Sequence, residues 1–280
     1  MTVLEVTGLR RSFAGLRAVD GVSFTVGQGE VVSVIGPNGS GKTTALNLVS
    51  GVLRPDAGRV GFLGRDVTGW RPERLAEAGL SRTFQNGRVF GNLSVAENVL
   101  IGLTSTLEAA RPLARWRNVP VLRWASLLAE TAVALVEPPS VRRELAERQA
   151  EVSAQLDRFG DRLTPRASDA AHTLSYANRR RTEIARALAA SPALLVLDEP
   201  TAGMNPAETA EVLEQLLALK ATGQTILLVE HKIDLVMRLS DRVLVLDAGA
   251  VIAAGTPDEV RTDPRVIEAY LGKRRTVARP

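Results

Sequence analysis

Gly36-Pro37-Asn38-Gly39-Ser40-Gly41-Lys42-Thr43 fits the pattern G-x-x-x-x-G-K-[ST], with Thr44 directly after it. Phosphate groups need many donors at close range. A loop carrying Gly36, Gly39 and Gly41, with Asn38 and Ser40 between them, lets successive backbone N–H groups converge on such an anion, and the N-terminus of a following helix adds its dipole. In that arrangement Lys42 reaches the β- and γ-phosphates of a nucleotide and the Thr43 hydroxyl is offered to Mg²⁺.

A second cluster is Asp198-Glu199, two adjacent carboxylates after the apolar run Leu194-Leu195-Val196-Leu197. Adjacent acids aimed in different directions suit different tasks: Asp198 to hold Mg²⁺, Glu199 to polarise an attacking water as general base. Taken alone, such a pair is more often an ordinary strand exit; the loop around Lys42 makes the functional reading the stronger one. His231 follows another apolar run and Glu230, within reach of the same edge, although a lone histidine is more often a satisfied core or surface residue. Gln85, in Arg82-Thr83-Phe84-Gln85-Asn86, carries almost no signal by itself.

These residues need a frame. Strand-like runs at Val31 to Ile35, Leu194 to Leu197, Thr225 to Val229 and Val243 to Leu246, separated by helix-period segments, predict a layered α/β core whose strands deliver side chains at their C-terminal edge. The phosphate loop sits between the first of these strands and the helical Ala45 to Val49 run. Between Phe90 and Leu174 the strand pattern gives way to helical ones. Trp124, Leu128, Thr131 and Leu135 predict one amphipathic helix; after Pro138-Pro139, Ser140 reads as the cap of a second, along which Val141, Leu145, Val152, Leu156 and Phe159 repeat near heptad spacing. Asn205-Pro206-Ala207-Glu208 predicts a cap, a first-position proline and a third-position glutamate at the head of a helix from Ala207 to Lys220.

Bulk properties narrow the field. The chain has 280 residues, 45% apolar, enough for a sizeable core, and no run of about 18 uncharged apolar residues that would predict a membrane span. It opens on a strand-like pattern, not a secretory signal, and the expected location is cytoplasmic. Zero cysteines exclude disulfides and thiolate metal sites, and two histidines leave no His-rich metal cluster. A net charge of +4, with acids interspersed, argues against nucleic acid as the partner; Lys273-Arg274-Arg275 with Arg279 reads as a solvated tail.

The order Gly36 to Thr43, Gln85, Leu174-Ser175-Tyr176, Asp198-Glu199 and His231 resembles the successive motifs of ABC-type ATPases over nearly the whole chain. Arg82-Thr83-Phe84-Gln85, Glu183-Ile184-Ala185-Arg186-Ala187-Leu188, Ala202-Gly203-Met204-Asn205-Pro206, Glu230-His231, Gly255-Thr256-Pro257 and Ala269-Tyr270-Leu271-Gly272 narrow the likeness to ATP-binding subunits of branched-chain amino acid importers. The resemblance implies one ABC ATPase domain: a P-loop NTPase (RecA-like) α/β core with an antiparallel β subdomain, residues 1–86 and 179–250; an inserted all-helical signature subdomain, 87–178; and a C-terminal segment, 251–280. It also implies ATP and Mg²⁺ as cofactors, a second ABC ATPase subunit closing head to tail over shared sites, two membrane permease subunits, an extracytoplasmic solute-binding protein reached indirectly, and a peripheral place on the cytoplasmic face of the membrane. Carried over by position, Gln85 senses Mg²⁺ and the attacking water, His231 steadies the γ-phosphate, and Ser175 with Ala177 meets the partner's nucleotide. Phe13 lies where an aromatic ring stacks on adenine, with a core phenylalanine an equal reading.

Two signature positions depart from the family. Where Leu-Ser-Gly-Gly-Gln or Leu-Ser-Tyr-Gly-Gln is usual, this chain has Leu174-Ser175-Tyr176-Ala177-Asn178. A Cβ at Ala177 is expected to crowd the partner's γ-phosphate or to oppose a positive φ, slowing the partner's site, unless the methyl is tolerated. A regulatory subunit with weakened hydrolysis is therefore one rival reading, and a non-transport ABC ATPase another. The solute, whether amino acid, urea or short amide, is chosen by the permeases.

Overall fold

The computed structural model describes residues 1–83, 89–103 and 139–271. The chain divides into two compact units, Met1–Arg88 with Ser191–Pro280, and Val89–Ala190. The expected helical segment, 87–178, and the second unit differ mainly at the far end, where residues 179–190 belong with the helices.

The first unit opens with an antiparallel hairpin, β1 (Thr2–Phe13) and β2 (Leu16–Gly27). Its two-residue turn, Ala14 and Gly15, has φ of 44° and 87°, the left-handed pair that matches strand twist. Leu4 and Val6 are buried while Glu5 and Thr7 are exposed, the period-two pattern of a sheet with one wet face. Then come β3 (Val31–Ile35), α1 (Lys42–Val49), β4 (Ala57–Phe62), β5 (Arg65–Asp66), α2 (Pro72–Glu77) and β6 (Leu80–Arg82). β4 pairs antiparallel with β1, giving a four-stranded sheet in the order β2-β1-β4-β5.

The second unit contains α3 (Val95–Leu103), α4 (Pro139–Asp157) and α5 (Tyr176–Ala189). On α3, Val95, Val99 and Leu103 are buried at i, i+4 and i+8, and so is Asn98. The Asn98 amide is satisfied: its Nδ2 donates to Phe90 O at 3.0 Å and its Oδ1 accepts from Phe90 N at 2.8 Å, fastening the segment ahead of α3. The expected cap at Ser140 is corrected, because α4 already includes Pro139 and Ser140 lies within its first turn. Val152 and Leu156 are buried as the heptad spacing predicts; Phe159 is buried too, but beyond the end of the helix. The expected helix through Trp124 and Leu135 lies outside the described residues.

The chain then completes the first unit with β7 (Leu194–Asp198), α6 (Pro206–Ala221), β8 (Ile226–Val229), α7 (Ile233–Leu239), β9 (Arg242–Asp247), β10 (Ala250–Gly255), α8 (Pro257–Thr262) and α9 (Pro264–Leu271). The second sheet runs β10-β9-β3-β8-β7-β6, with β9 to β6 mutually parallel and β10 antiparallel at the edge. Every residue of β3, β7 and β8 is buried, which is why these strands read as unbroken apolar runs and not as alternations. The α6 cap is as the sequence predicts: Asn205 Oδ1 accepts from Glu208 N at 2.9 Å, Glu208 Oε2 accepts from Asn205 N at 3.1 Å, and Pro206 occupies the first turn.

At the opposite edge of the parallel sheet, Glu30 joins three strands. Its carboxylate accepts from Arg242 Nε at 2.8 Å, Arg242 Nη2 at 3.1 Å and Gly27 N at 2.6 Å. Burial by itself raises this carboxyl, but the guanidinium and the Gly27 N–H outweigh it and hold it below its ordinary 4.5. A carboxyl lowered in the folded state stabilises fully above its unfolded value and loses that contribution as pH falls through the folded one. Glu30→Gln is expected to lower stability by about 1 kcal/mol at neutral pH. It should also flatten the fall of melting temperature below pH 4.5, measured by thermal unfolding across pH. In the helical unit, a Cβ on Gly102 would stand 2.2 Å from Arg186 O and 3.1 Å from Ala189 Cβ. Gly102→Ala is therefore expected to cost about 1–3 kcal/mol in a denaturant titration, and a cost near zero would show that α3 and α5 separate freely.

Candidate active site

Strand β3 ends at Ile35, and the chain from Gly36 to Gly41 wraps back before α1 begins at Lys42. The bend has no room for side chains at two points: a Cβ on Gly36 would lie 2.0 Å from Leu246 O, and one on Gly41 2.2 Å from Ala18 O. Gly41 is also the N-cap of α1, with φ of 99°, and no side chain caps the helix. The first-turn N–H groups of Lys42, Thr43 and Thr44 thus end at an N-terminus with neither a side-chain cap nor an acidic residue, the electrostatic setting an anion prefers. The Lys42 amine folds back onto the loop, donating to Gly36 O at 2.8 Å and Pro37 O at 2.9 Å. Burial lowers its pKa, and Glu199 and Asp198 pull it back up.

The two carboxylates leave the end of β7 in different settings. Asp198 is 1% exposed, and its Oδ2 accepts from Arg82 Nη2 at 2.9 Å. Arg82 is the last residue of β6, alongside β7, and its Nη1 also donates to Ser50 Oγ at 2.5 Å at the end of α1. Burial lowers the Arg82 pKa while Asp198 opposes that shift. The next residue, Thr83, continues the ladder by donating its N–H to Val196 O at 3.0 Å. Glu199 takes a left-handed backbone, φ 48°, immediately after its N–H donates to Val229 O at 2.8 Å. That turn carries its carboxylate toward His231, and Oε1 lies 2.8 Å from His231 Nε2. A carboxylate only accepts, so this contact puts a hydrogen on Nε2.

An open cleft of about 360 Å³ gathers these groups: Asn38, Gly39, Gly41, Lys42, Thr43 and Thr44 on one side, Glu199 and His231 on another, with Leu16, Arg17, Ala18 and Ala248 completing it. Phe13 is not among the lining residues. It sits at the tip of the β1–β2 hairpin, 41% exposed, with the Arg11 guanidinium 4.9 Å from its ring centre, so the reading of Phe13 as a core residue is excluded. Gln85 lies outside the described residues.

Ser175 and Ala177 belong to the helical unit, taken by itself. Ser175 caps α5, its Oγ accepting from Asn178 N at 3.3 Å. Ala177 is helical, is absent from the residues of positive φ and is 2% exposed, so the expectation that its methyl opposes a positive φ is corrected. Asn178 finds local partners despite its shorter side chain: its Oδ1 accepts from Arg181 Nη1 at 2.8 Å.

The donor set fits Mg²⁺. Thr43 offers a hydroxyl and Asp198 a carboxylate, both hard oxygens. Among the described residues no group of three or more His, Cys, Asp or Glu is placed to hold a metal ion. Sequence reasoning passed over Arg82 and Glu230, whose only signals were a basic residue ending a short strand and an acid before His231; burial, which gives them weight, is invisible in a lone sequence.

Comparison with known proteins adds an independent line. The family described as ABC transporter matches residues 19–202, and that described as branched-chain amino acid ATP-binding cassette transporter matches residues 250–275. The chain is 38% identical to the high-affinity branched-chain amino acid transport ATP-binding protein LivG of Salmonella typhimurium, over 97% of this chain and 98% of that one. It is also 38% identical to the protein of the same description, BraF, of Pseudomonas aeruginosa, with the same coverage. Among solved structures it resembles a nucleotide-free ATP-binding cassette from an ABC transporter, with a TM-score of 0.77 and 32% identity over 98% of this chain and 100% of that one. The ADP conformation of such a cassette gives a TM-score of 0.75 and 32% identity over the same shares.

The two kinds of glycine in the loop separate on substitution. Gly39 has φ of 80° but open space around an added Cβ, whereas Gly41 has φ of 99° and the Ala18 carbonyl in the way. Gly41→Ala is expected to weaken magnesium ADP binding in calorimetry by roughly tenfold or more, and Gly39→Ala by distinctly less. Equal losses would mean that backbone conformation alone, not the close approach to Ala18, shapes the cradle.

Proposed function

Because the chain belongs to the ABC transporter family, as an ATP-binding cassette ATPase, we propose that it powers import of branched-chain amino acids through separate membrane subunits. The observation that carries the hydrolytic part is the cleft in which Lys42 and the N-terminus of α1 share walls with the hydrogen-bonded pair Glu199 and His231. The matches to LivG and BraF along nearly the whole chain support the solute class.

In this reading the loop N–H groups from Asn38 to Thr44 cradle the phosphates of ATP, and the Lys42 amine exchanges Gly36 O and Pro37 O for β- and γ-phosphate oxygens. Thr43 and Asp198 are the residues that would hold Mg²⁺, which when bound offsets charge on the β- and γ-phosphates. Glu199 acts as general base toward the attacking water. His231, already a donor to Glu199, turns its Nε2–H to the γ-phosphate, and Gln85 senses the metal and the water. Phe13, exposed at the tip of the hairpin whose Leu16, Arg17 and Ala18 line the cleft, offers its ring to adenine. The partners in this reading are a second ABC ATPase subunit whose nucleotide meets Ser175 and Ala177, two permease subunits and, through them, a solute-binding protein; nucleic acid has no part. It places the chain at the cytoplasmic face of the membrane. Among the described residues no helix is long and apolar enough to cross it.

The helical, buried Ala177 supports a hydrolysing subunit over a regulatory one, because it gives no backbone ground for a defective signature. Glu199→Gln is expected to lower ATP turnover about a hundredfold or more while retaining nucleotide affinity. Cells whose only copy carries that change are expected to lose uptake of labelled leucine, isoleucine and valine. Unchanged turnover would overturn the assignment of the base, and unchanged uptake with turnover lost would overturn the solute class.

A further inference from the structure

We propose that Glu230 is a positioning residue that holds Glu199 and His231 in register by fastening the two chain segments that carry them. Glu230 follows β8 directly, is 2% exposed, and spends both carboxylate oxygens on four donors. Oε1 accepts from Thr201 N at 3.0 Å and from the Thr201 hydroxyl. Oε2 accepts from His231 N at 2.6 Å and from Lys232 N at 3.2 Å. One oxygen therefore grips the chain two residues after Glu199, and the other grips the backbone of His231 itself. Lys232 closes the same junction further along, its amine donating to Met204 O at 3.0 Å and to Thr209 Oγ1 at 2.5 Å.

The geometry needs such a fastening. Glu199 has a left-handed backbone that an L side chain adopts reluctantly, and its segment turns away from the sheet at once, Ala202 N donating to Glu199 O at 3.1 Å. The sheet holds Glu199 through its own N–H, which donates to Val229 O. Beyond that point the bonds from Thr201 to Glu230 bind the Glu199 segment to the His231 segment. A carboxylate suits the place because every facing group donates. Glutamine keeps one acceptor oxygen and puts N–H₂ in place of the other, so whichever side that group faces, at least one backbone N–H, of Thr201 or of His231 and Lys232, loses its partner. Misplacing a reacting group by about 1 Å costs on the order of a hundredfold in rate, so a loosened junction acts on turnover before it acts on binding.

The inference rests on the reading of Glu199 and His231 given above, and the test separates the two. The chain has two histidines, His172 and His231, so histidine-selective isotope labelling of the full-length protein gives two imidazole signals. Glu199→Gln assigns the His231 signal and marks the loss of the contact. Glu230→Gln is expected to move that signal in the same direction and leave the His172 signal in place. It should also lower kcat for magnesium ATP at least tenfold while KM and magnesium ADP affinity stay within twofold. Thr201→Val should give part of both effects, and Thr201→Ser, which keeps the hydroxyl, should restore both. A His231 signal that answers Glu199→Gln but not Glu230→Gln overturns the proposal, as does a parallel fall in nucleotide affinity. A His231 signal indifferent to Glu199→Gln removes the pair itself and the proposal with it. If Glu230→Gln does not fold, the Thr201 variants decide: valine slower and serine normal supports the fastening, and both normal overturns it.

Discussion

Parallel register is the constraint on which the site depends. Val34 stands opposite both Val229 and Leu244, and Val229 opposite Asp198, so four neighbouring strands, β9, β3, β8 and β7, reach one row together. The residues just past that row are the ones to which chemistry is proposed: Gly36 after β3, Glu199 after β7, Glu230 and His231 after β8. Slipping one strand by a single residue would turn its buried side chains to the opposite face and move its exit out of line. Because β3, β7 and β8 are buried throughout, register is held by packing on both faces, and the site inherits its precision from the core.

From that edge outward, backbone and side chain divide the work. The phosphate side is built from peptide groups, and what matters there is the absence of atoms: Gly36 and Gly41 let the loop lie against Leu246 O and Ala18 O. The facing side is built from carboxylates with unlike partners, Asp198 held by the buried Arg82 side chain and Glu199 by the exposed His231. Asp198 is oriented by Arg82, which also reaches Ser50 at the end of α1, so β6, β7 and the phosphate helix meet in one polar contact. The segment leading to Gln85 starts at that contact, through Thr83, whose N–H still belongs to the sheet.

Much of this is legible in the sequence because the demands are local. The glycine spacing of the loop, the apolar run before Asp198-Glu199 and the capping pattern at Asn205 each follow from nearest neighbours, and each stands where it is expected. The antiparallel sheet is legible only through the family likeness, since β1 and β2 pair through a hairpin whose signal is the modest Ala14-Gly15. Ser140 misleads because a serine after two prolines looks like a cap whether or not the helix has already begun. Ala177 misleads because a family glycine suggests a positive φ that the α5 backbone does not have. Arg82 and Glu230 carry only a faint local signal, as their importance lies in burial and in partners distant along the chain.

The left-handed backbone at Glu199 sets this position apart from its neighbours. Glycine or asparagine would occupy that conformation at lower energy, by roughly 1 kcal/mol or more. A redesign guided by thermostability alone would select them there, and on the proposed assignment of Glu199 as general base it would trade turnover for a sturdier nucleotide trap. A glutamate in so uncomfortable a fold of the chain is what the proposed role as general base would require.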